Sequence, residues 1–193
     1  MATFLFLLVV AAALLAAARF AQQRLSKPRS AAQLTAPAPP GALGLKVGDV
    51  VMYDAQDWVI EGALRFDEDG FRWTEYLLVD GDAKRWLSVE DDEGLTLSVT
   101  HERVVDPDLA DQAGAKRVQY RDTSYVRKEN GHARWTGEGS QAGSGTVEYF
   151  DYEGPDGKQL SFERYSSAGS WEISLSREIS EAELDIYPAK EPA

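Results

Sequence analysis

Four glutamates stand in two matched pairs, Glu75 with Glu90 and Glu148 with Glu163, with the same step of fifteen residues inside each pair. Carboxylates held close together repel as anions. One of a pair is then pushed toward the neutral acid, where it can act as a general acid or base, or the pair recruits a cation. The hairpin register decides which chemistry is open. A connecting loop of even length sets Glu148 against Glu163, like charges that destabilise a sheet unless something positive lies between them. Pro155-Asp156-Gly157 instead reads as a three-residue loop, a type I turn closed by a glycine bulge, which sets Glu148 opposite Arg164. An ordinary cross-strand ion pair is the simplest expectation for these glutamates, with catalysis or cation binding as the rival.

Other candidate chemistry is weaker. Asp67-Glu68-Asp69-Gly70 and Glu90-Asp91-Asp92-Glu93 bring hard oxygen ligands into loops, but a calcium loop ending there needs an acid at Arg65 and a glutamate at Tyr76. Solvated turns are the plainer reading. His101 and His132 are the only histidines and have neither a cysteine nor metal-ligand spacing nearby. The stretch from Gly137 to Gly145 lacks the spacing and the following helix of a phosphate-cradling loop, and neither Ser140 nor Ser144 sits in a nucleophile elbow. No catalytic residue, metal ligand or cofactor is expected. Trp58, Trp73, Trp86, Trp135 and Trp171 could line a groove, although a core role is the simpler assignment.

Strands must position these residues. Beyond Gly44 the chain consists of short β-branched and aromatic runs broken by Gly, Asp and Asn, without a sustained helical period. Strands are expected at 50–53, 58–64, 71–79, 85–90, 95–99, 117–120, 125–128, 133–136, 146–152, 159–165, 171–176 and 185–187, with Asn130-Gly131 as one of the turns. Alternation puts Phe71, Trp73 and Leu77 on one face of a strand and Tyr76 and Leu78 on the other, so that strand is covered on both sides. The second half repeats the first. Glu75-Tyr76 returns as Glu148-Tyr149, and Leu87-Ser88-Val89-Glu90 returns as Leu160-Ser161-Phe162-Glu163. Tyr53 followed by Trp58-Val59 matches Tyr120 followed by Tyr125-Val126.

The run Leu45-Lys46-Val47-Gly48-Asp49, then Trp73-Thr74-Glu75-Tyr76-Leu77-Leu78, then Trp86-Leu87-Ser88-Val89-Glu90, resembles the signature of the family known as domain of unknown function 4178. Val147-Glu148-Tyr149 and Leu160-Ser161-Phe162-Glu163 agree with it, and the resemblance spans roughly residues 45 to 187. It implies a duplicated all-β domain. No established activity comes with it.

The N-terminal segment has a different composition. Residues 2–18 are apolar except Thr3, about the length that crosses a thin bilayer as a helix, and all the basic residues of the segment, Arg19, Arg24, Lys27 and Arg29, follow the run. A cleaved signal peptide carries its charge in front, so a single-pass anchor with the C-terminal domain on the cytoplasmic side is expected. Pro37, Pro39 and Pro40 then mark a linker. The formal net charge of −12 becomes about −16 once the basic segment is set aside, which excludes nucleic acid as a partner. The absence of cysteine removes disulfides and thiolate chemistry.

The expected organisation is therefore a transmembrane anchor at 1–21, a linker at 22–44, a first β repeat at 45–105, a connector at 106–116, a second β repeat at 117–187 and a tail at 188–193. The expected fold is all-β: two tandem antiparallel meanders forming a sandwich or distorted barrel behind one transmembrane helix. The expected function is a non-enzymatic adaptor for a membrane-protein partner at the cytoplasmic face of the membrane. The alternative is a sensor of polyamines or small or divalent cations using the acidic loops and Glu75, Glu90, Glu148 and Glu163; a carboxylate-dependent enzyme is the third reading.

Overall fold

Period-two burial runs through most of the chain from Val50 onward, and it builds sheet almost everywhere. The computed structural model describes residues 41–92 and 94–189. Its strands are β1 (Val50–Tyr53), β2 (Gln56–Glu68), β3 (Phe71–Asp80), β4 (Ala83–Asp91) and β5 (Leu95–Val104), then β6 (Arg117–Tyr120), β7 (Thr123–Gly139), β8 (Gly143–Glu153), β9 (Lys158–Arg164), β10 (Glu172–Ile179) and β11 (Asp185–Tyr187). A short helix, α1 (Pro107–Ala110), separates β5 from β6. The Asp106 side chain caps it by accepting the Leu109 N–H.

The strands form one eleven-stranded antiparallel sheet in the order β11-β1-β2-β3-β4-β5-β10-β9-β8-β7-β6, and β2 pairs in addition with β7. The two long strands each serve two partners along one edge. The first part of β2 pairs with β1 and the first part of β7 with β6. Their later parts pair with each other, from Gly62↔Gly139 to Asp67↔Arg134. With β5 joined to β10, the strands β2, β3, β4, β5, β10, β9, β8 and β7 close into a ring. Closure requires the β7–β8 turn to lie against β2. Gly139, with φ +63°, sits where an added Cβ would overlap the Glu61 carbonyl, and the Ser140 N–H donates to that same oxygen.

This architecture corrects the expected fold. The two meanders are not packed units behind a helix but halves of a single continuous sheet, because β5–β10 and β2–β7 pair across the connector. No helix among the described residues is long and apolar enough to cross a membrane. The transmembrane helix expected at 1–21 lies outside the described residues, as do most of the linker and the end of the tail. Asn130-Gly131 is not a turn either. Both residues lie inside β7, paired with Phe150 and Tyr149, and the Glu68 carboxylate occupies the space beside Gly131 that a side chain would fill.

Each half of the sheet curls around its own apolar core. In the first, Val51, Trp58, Ile60, Leu78, Leu87 and Val99 pack together; in the second, Val118, Tyr125, Leu160, Phe162 and Ile173 do so. The registers make Val51↔Trp58 the counterpart of Val118↔Tyr125. A third cluster, Leu64, Phe66, Ala133 and Val147 with Trp73, Trp86, Trp135 and Tyr165, seals the β2–β7 side.

Candidate functional site

If Leu87, Val89, Leu97 and Val99 face one core and Leu160, Phe162, Ile173 and Leu175 the other, the alternate residues of the same strands must face the opposite way. In an open sheet that face would meet bulk solvent. Here the ring folds the two polar faces toward one another, and they line a cavity of about 790 Å³. Its wall is written twice. In the first half, Glu75 on β3 lies beside Ser88 on β4, which lies beside Ser98 on β5. In the second, Asp151 on β8 lies beside Ser161 on β9, which lies beside Ser174 on β10. The next row is Trp73–Glu90–Thr96 in the first half and Tyr149–Glu163–Glu172 in the second. Where the halves meet, Thr100 of β5 stands opposite Ser176 of β10, their hydroxyls 3.2 Å apart.

Glu75, Glu90 and Glu163 are therefore on the chamber wall. Glu148 is not: it faces the other side of β8, opposite Arg164 as the three-residue loop requires, and forms an ion pair with it. The Arg164 guanidinium also stacks 4.4 Å from the Trp171 ring. The true counterpart of Glu75 is Asp151. Gly81-Asp82 connects β3 to β4 with two residues between paired ends, whereas five residues separate the paired Glu153 and Gln159. The longer loop shifts the β8 partner of Ser161 by three positions, so matching Glu to Glu at a common spacing selected Glu148 in place of Asp151. Ser88, Ser161 and Tyr149 also belong to the wall, and only the repeated Leu-Ser-x-Glu motif gave a hint of the two serines.

The electrostatics follow from enclosure. Glu75, surrounded by protein except where it meets the cavity, is pushed up to about 7 by burial, opposed by the Trp73 indole N–H at 3.4 Å and reinforced by the Asp151 charge. Burial raises Asp151 to about 6 against a hydrogen bond from Ser161, with Glu129 and Glu90 adding to the rise. Glu163 titrates well above the ordinary carboxylate range through burial and then the charges of Glu75 and Asp151; the Tyr165 hydroxyl donates to it at 3.3 Å. Glu90 is raised by burial and by Glu129 and Asp92. Among the described residues none of these four carboxylates has a cation within ion-pair distance. Basic side chains also reach the cavity, Lys84, Arg85, Arg103 and Lys128, but Arg103 and Lys128 pair with other acids of its lining, Arg103 with Glu172 at 3.1 Å and Lys128 with Glu153 at 2.6 Å.

The remaining candidates are ordinary. Asp67 accepts the Gly70 N–H in the β2–β3 turn and pairs with Arg72 at 2.9 Å, and Glu68 accepts from the Tyr149 hydroxyl and the His132 backbone N–H, so these acids serve structure. His132 reaches Glu148 at 3.9 Å on the side away from the chamber, and His101 lies on the chamber lining, its pKa lowered by burial. No group of three or more acids or histidines among the described residues is placed to hold a metal ion. Phe71, Trp73, Trp86 and Tyr149 supply aromatic surface to the chamber, with the Trp73 and Tyr149 rings edge to face at 5.7 Å.

An antiparallel ring around a polar, acid-lined cavity belongs to the closed β architectures. The family model described as Domain of unknown function (DUF4178) matches residues 46–181, and the chain belongs to that family. It is 35% identical over 157 residues to the uncharacterized proteins Mb2628 of Mycobacterium bovis and Rv2597 of Mycobacterium tuberculosis, covering 77% of this chain and 74% of each relative. No solved structure matches it.

Proposed function

We propose that the domain binds a small organic cation of the amine class in the chamber, without transforming it. The observation that carries this reading is the convergence of Glu75, Glu90, Asp151 and Glu163 on one cavity, none of them within ion-pair distance of the basic side chains that also reach it among the described residues, with aromatic surface beside them. An ammonium group compensates the carboxylates and hydrogen-bonds to them and to the serine rows, beside the aromatic lining of Trp73 and Tyr149. A divalent metal is a poorer fit, because it demands several oxygen ligands at one point. The adaptor reading draws on apolar side chains exposed at the surface; Leu43, Leu95, Val105 and Val126 stand on separate elements, while Val59 and Tyr187 share a short row on either side of Val50.

The test is calorimetric titration and thermal melting of the full-length chain with butylamine, putrescine, spermidine, calcium and magnesium, at ionic strength matched with potassium chloride. A ligand that binds only the native state raises the melting temperature in a saturable way. Saturable amine binding that Glu75→Gln weakens supports the reading. Shifts no larger than the salt controls overturn it and turn attention to a protein partner, the membrane-protein partner of the adaptor reading first.

A further inference from the structure

Resting on the amine-binding reading, we infer that the occupant is two-headed: a linear diamine or polyamine that places one ammonium group in each half of the chamber. The inference comes from the duplication of the wall. Glu75, Ser88 and Ser98 form a row across three neighbouring strands, and Asp151, Ser161 and Ser174 form the same row in the other half. Each row begins with a carboxylate and continues with two hydroxyls, which is an acceptor set for an ammonium group and its remaining N–H donors. A second carboxylate accompanies each, Glu90 in one half and Glu163 in the other, and the aromatic neighbours Trp73 and Tyr149 are likewise counterparts.

A single ammonium group has three N–H donors and one charge for four carboxylates and two serine rows. A dication serves both halves at once. Tethering also makes the second ammonium's arrival intramolecular, so its contribution depends on whether the chain spans the gap. The chamber should therefore discriminate chain length among diamines of identical charge, which a diffuse acidic surface cannot do.

The experiment titrates the full-length chain with butylamine and with diamines of three to six methylenes at one ionic strength, in the native chain and in Glu75→Gln, Asp151→Asn and the double variant. Expected is one diamine per chain, an optimum at one chain length, and at that length binding at least about tenfold tighter than butylamine. Each single variant should bring the best diamine close to the butylamine affinity, and the double variant should abolish both. Because each substitution removes a buried charge, melting of the free variants should show them folded. Butylamine binding as tightly as every diamine, or a flat chain-length series, overturns the two-headed site while leaving amine binding intact. Binding of no amine at all overturns the underlying reading as well.

Discussion

The Tyr149 hydroxyl donates a 2.5 Å hydrogen bond to Glu68, fastening the β2–β3 turn of the first half to β8 of the second. The same carboxylate accepts the His132 backbone N–H at 3.0 Å, so one side chain spans two strands of the opposite half. Burial and this bond hold the Tyr149 phenol well above its usual pKa, leaving it a donor throughout the physiological range. Tyr149→Phe removes the donor while keeping the ring against Trp73. A hydrogen bond to a charged acceptor contributes about 2 kcal/mol, so the urea midpoint should fall with the slope unchanged. An unaltered midpoint would mean the fastening carries no stability.

The chamber carboxylates set a pH dependence of unusual sign. An acid whose folded pKa lies above its unfolded value binds its proton more tightly when folded. Its contribution is thus present at low pH and lost as pH rises from the unfolded pKa through the folded one. For Glu75 that window runs from about 4.5 to about 7, and for Asp151 from about 4 to about 6. The ligand-free protein should therefore be more stable near pH 5 than near pH 8. Glu75→Gln should flatten that decline and stabilise the protein at pH 8 by about 2 kcal/mol, measured by urea unfolding across the range. A stability that rises from pH 5 to pH 8 in the native chain contradicts a ligand-free acidic chamber.

Amine binding should release protons. An ammonium group favours the anionic form of Glu75 and Asp151, which near pH 6 are partly neutral in the free protein. Affinity should increase between pH 5 and pH 7.5, and the apparent binding enthalpy at pH 6 should vary with the ionisation enthalpy of the buffer in the direction of proton release. Glu75→Gln should reduce the number of protons released. An enthalpy independent of buffer would place the amine away from these carboxylates.

Local features of this architecture were readable from the chain. Val51, Trp58, Val118 and Tyr125 alternate as half-buried strands must, and Pro155-Asp156-Gly157 forms a three-residue loop in the expected register, with the Gly154 N–H donating to the Lys158 carbonyl. Asp156, at φ 58°, is left-handed, so the turn is not the expected type I. The site was only partly legible. Alternation places Ser88, Glu90, Ser161 and Glu163 on a face shared within each half, but it does not say whether that face meets water or a second polar face. That depends on β2 finding β7, a pairing of residues 67 to 77 apart in sequence that no local period encodes. Asp151 escaped notice because a longer loop moved its strand by three residues, while an equally spaced Glu148 offered a false match. Asn130-Gly131 carries the strongest short turn signal in the chain. It is overridden as β7 continues through it, paired with Phe150 and Tyr149 of β8, with the Glu68 carboxylate lying against Gly131.

Ring closure itself can be tested at a glycine. Gly139 and Gly81 both hold left-handed backbone, at φ +63° and +58°. Alanine at either position incurs a similar conformational cost, about 1–2 kcal/mol. Only at Gly139 would the added methyl group meet something: the Glu61 carbonyl of β2, with the Val47 side chain and the Gly62 Cα also close, whereas nothing lies within 4 Å at Gly81. Backbone cannot step aside as a flexible side chain can, so Gly139→Ala must push the β7–β8 turn away from β2 or break the Ser140 N–H bond to Glu61. Gly81→Ala should therefore lower stability only by the shared conformational cost, and Gly139→Ala by at least about 2 kcal/mol more. Because opening that seam also unseals the chamber, Gly139→Ala should weaken amine binding while Gly81→Ala leaves it intact. Equal stability losses in the two variants would mean that β2 and β7 do not close the ring in solution.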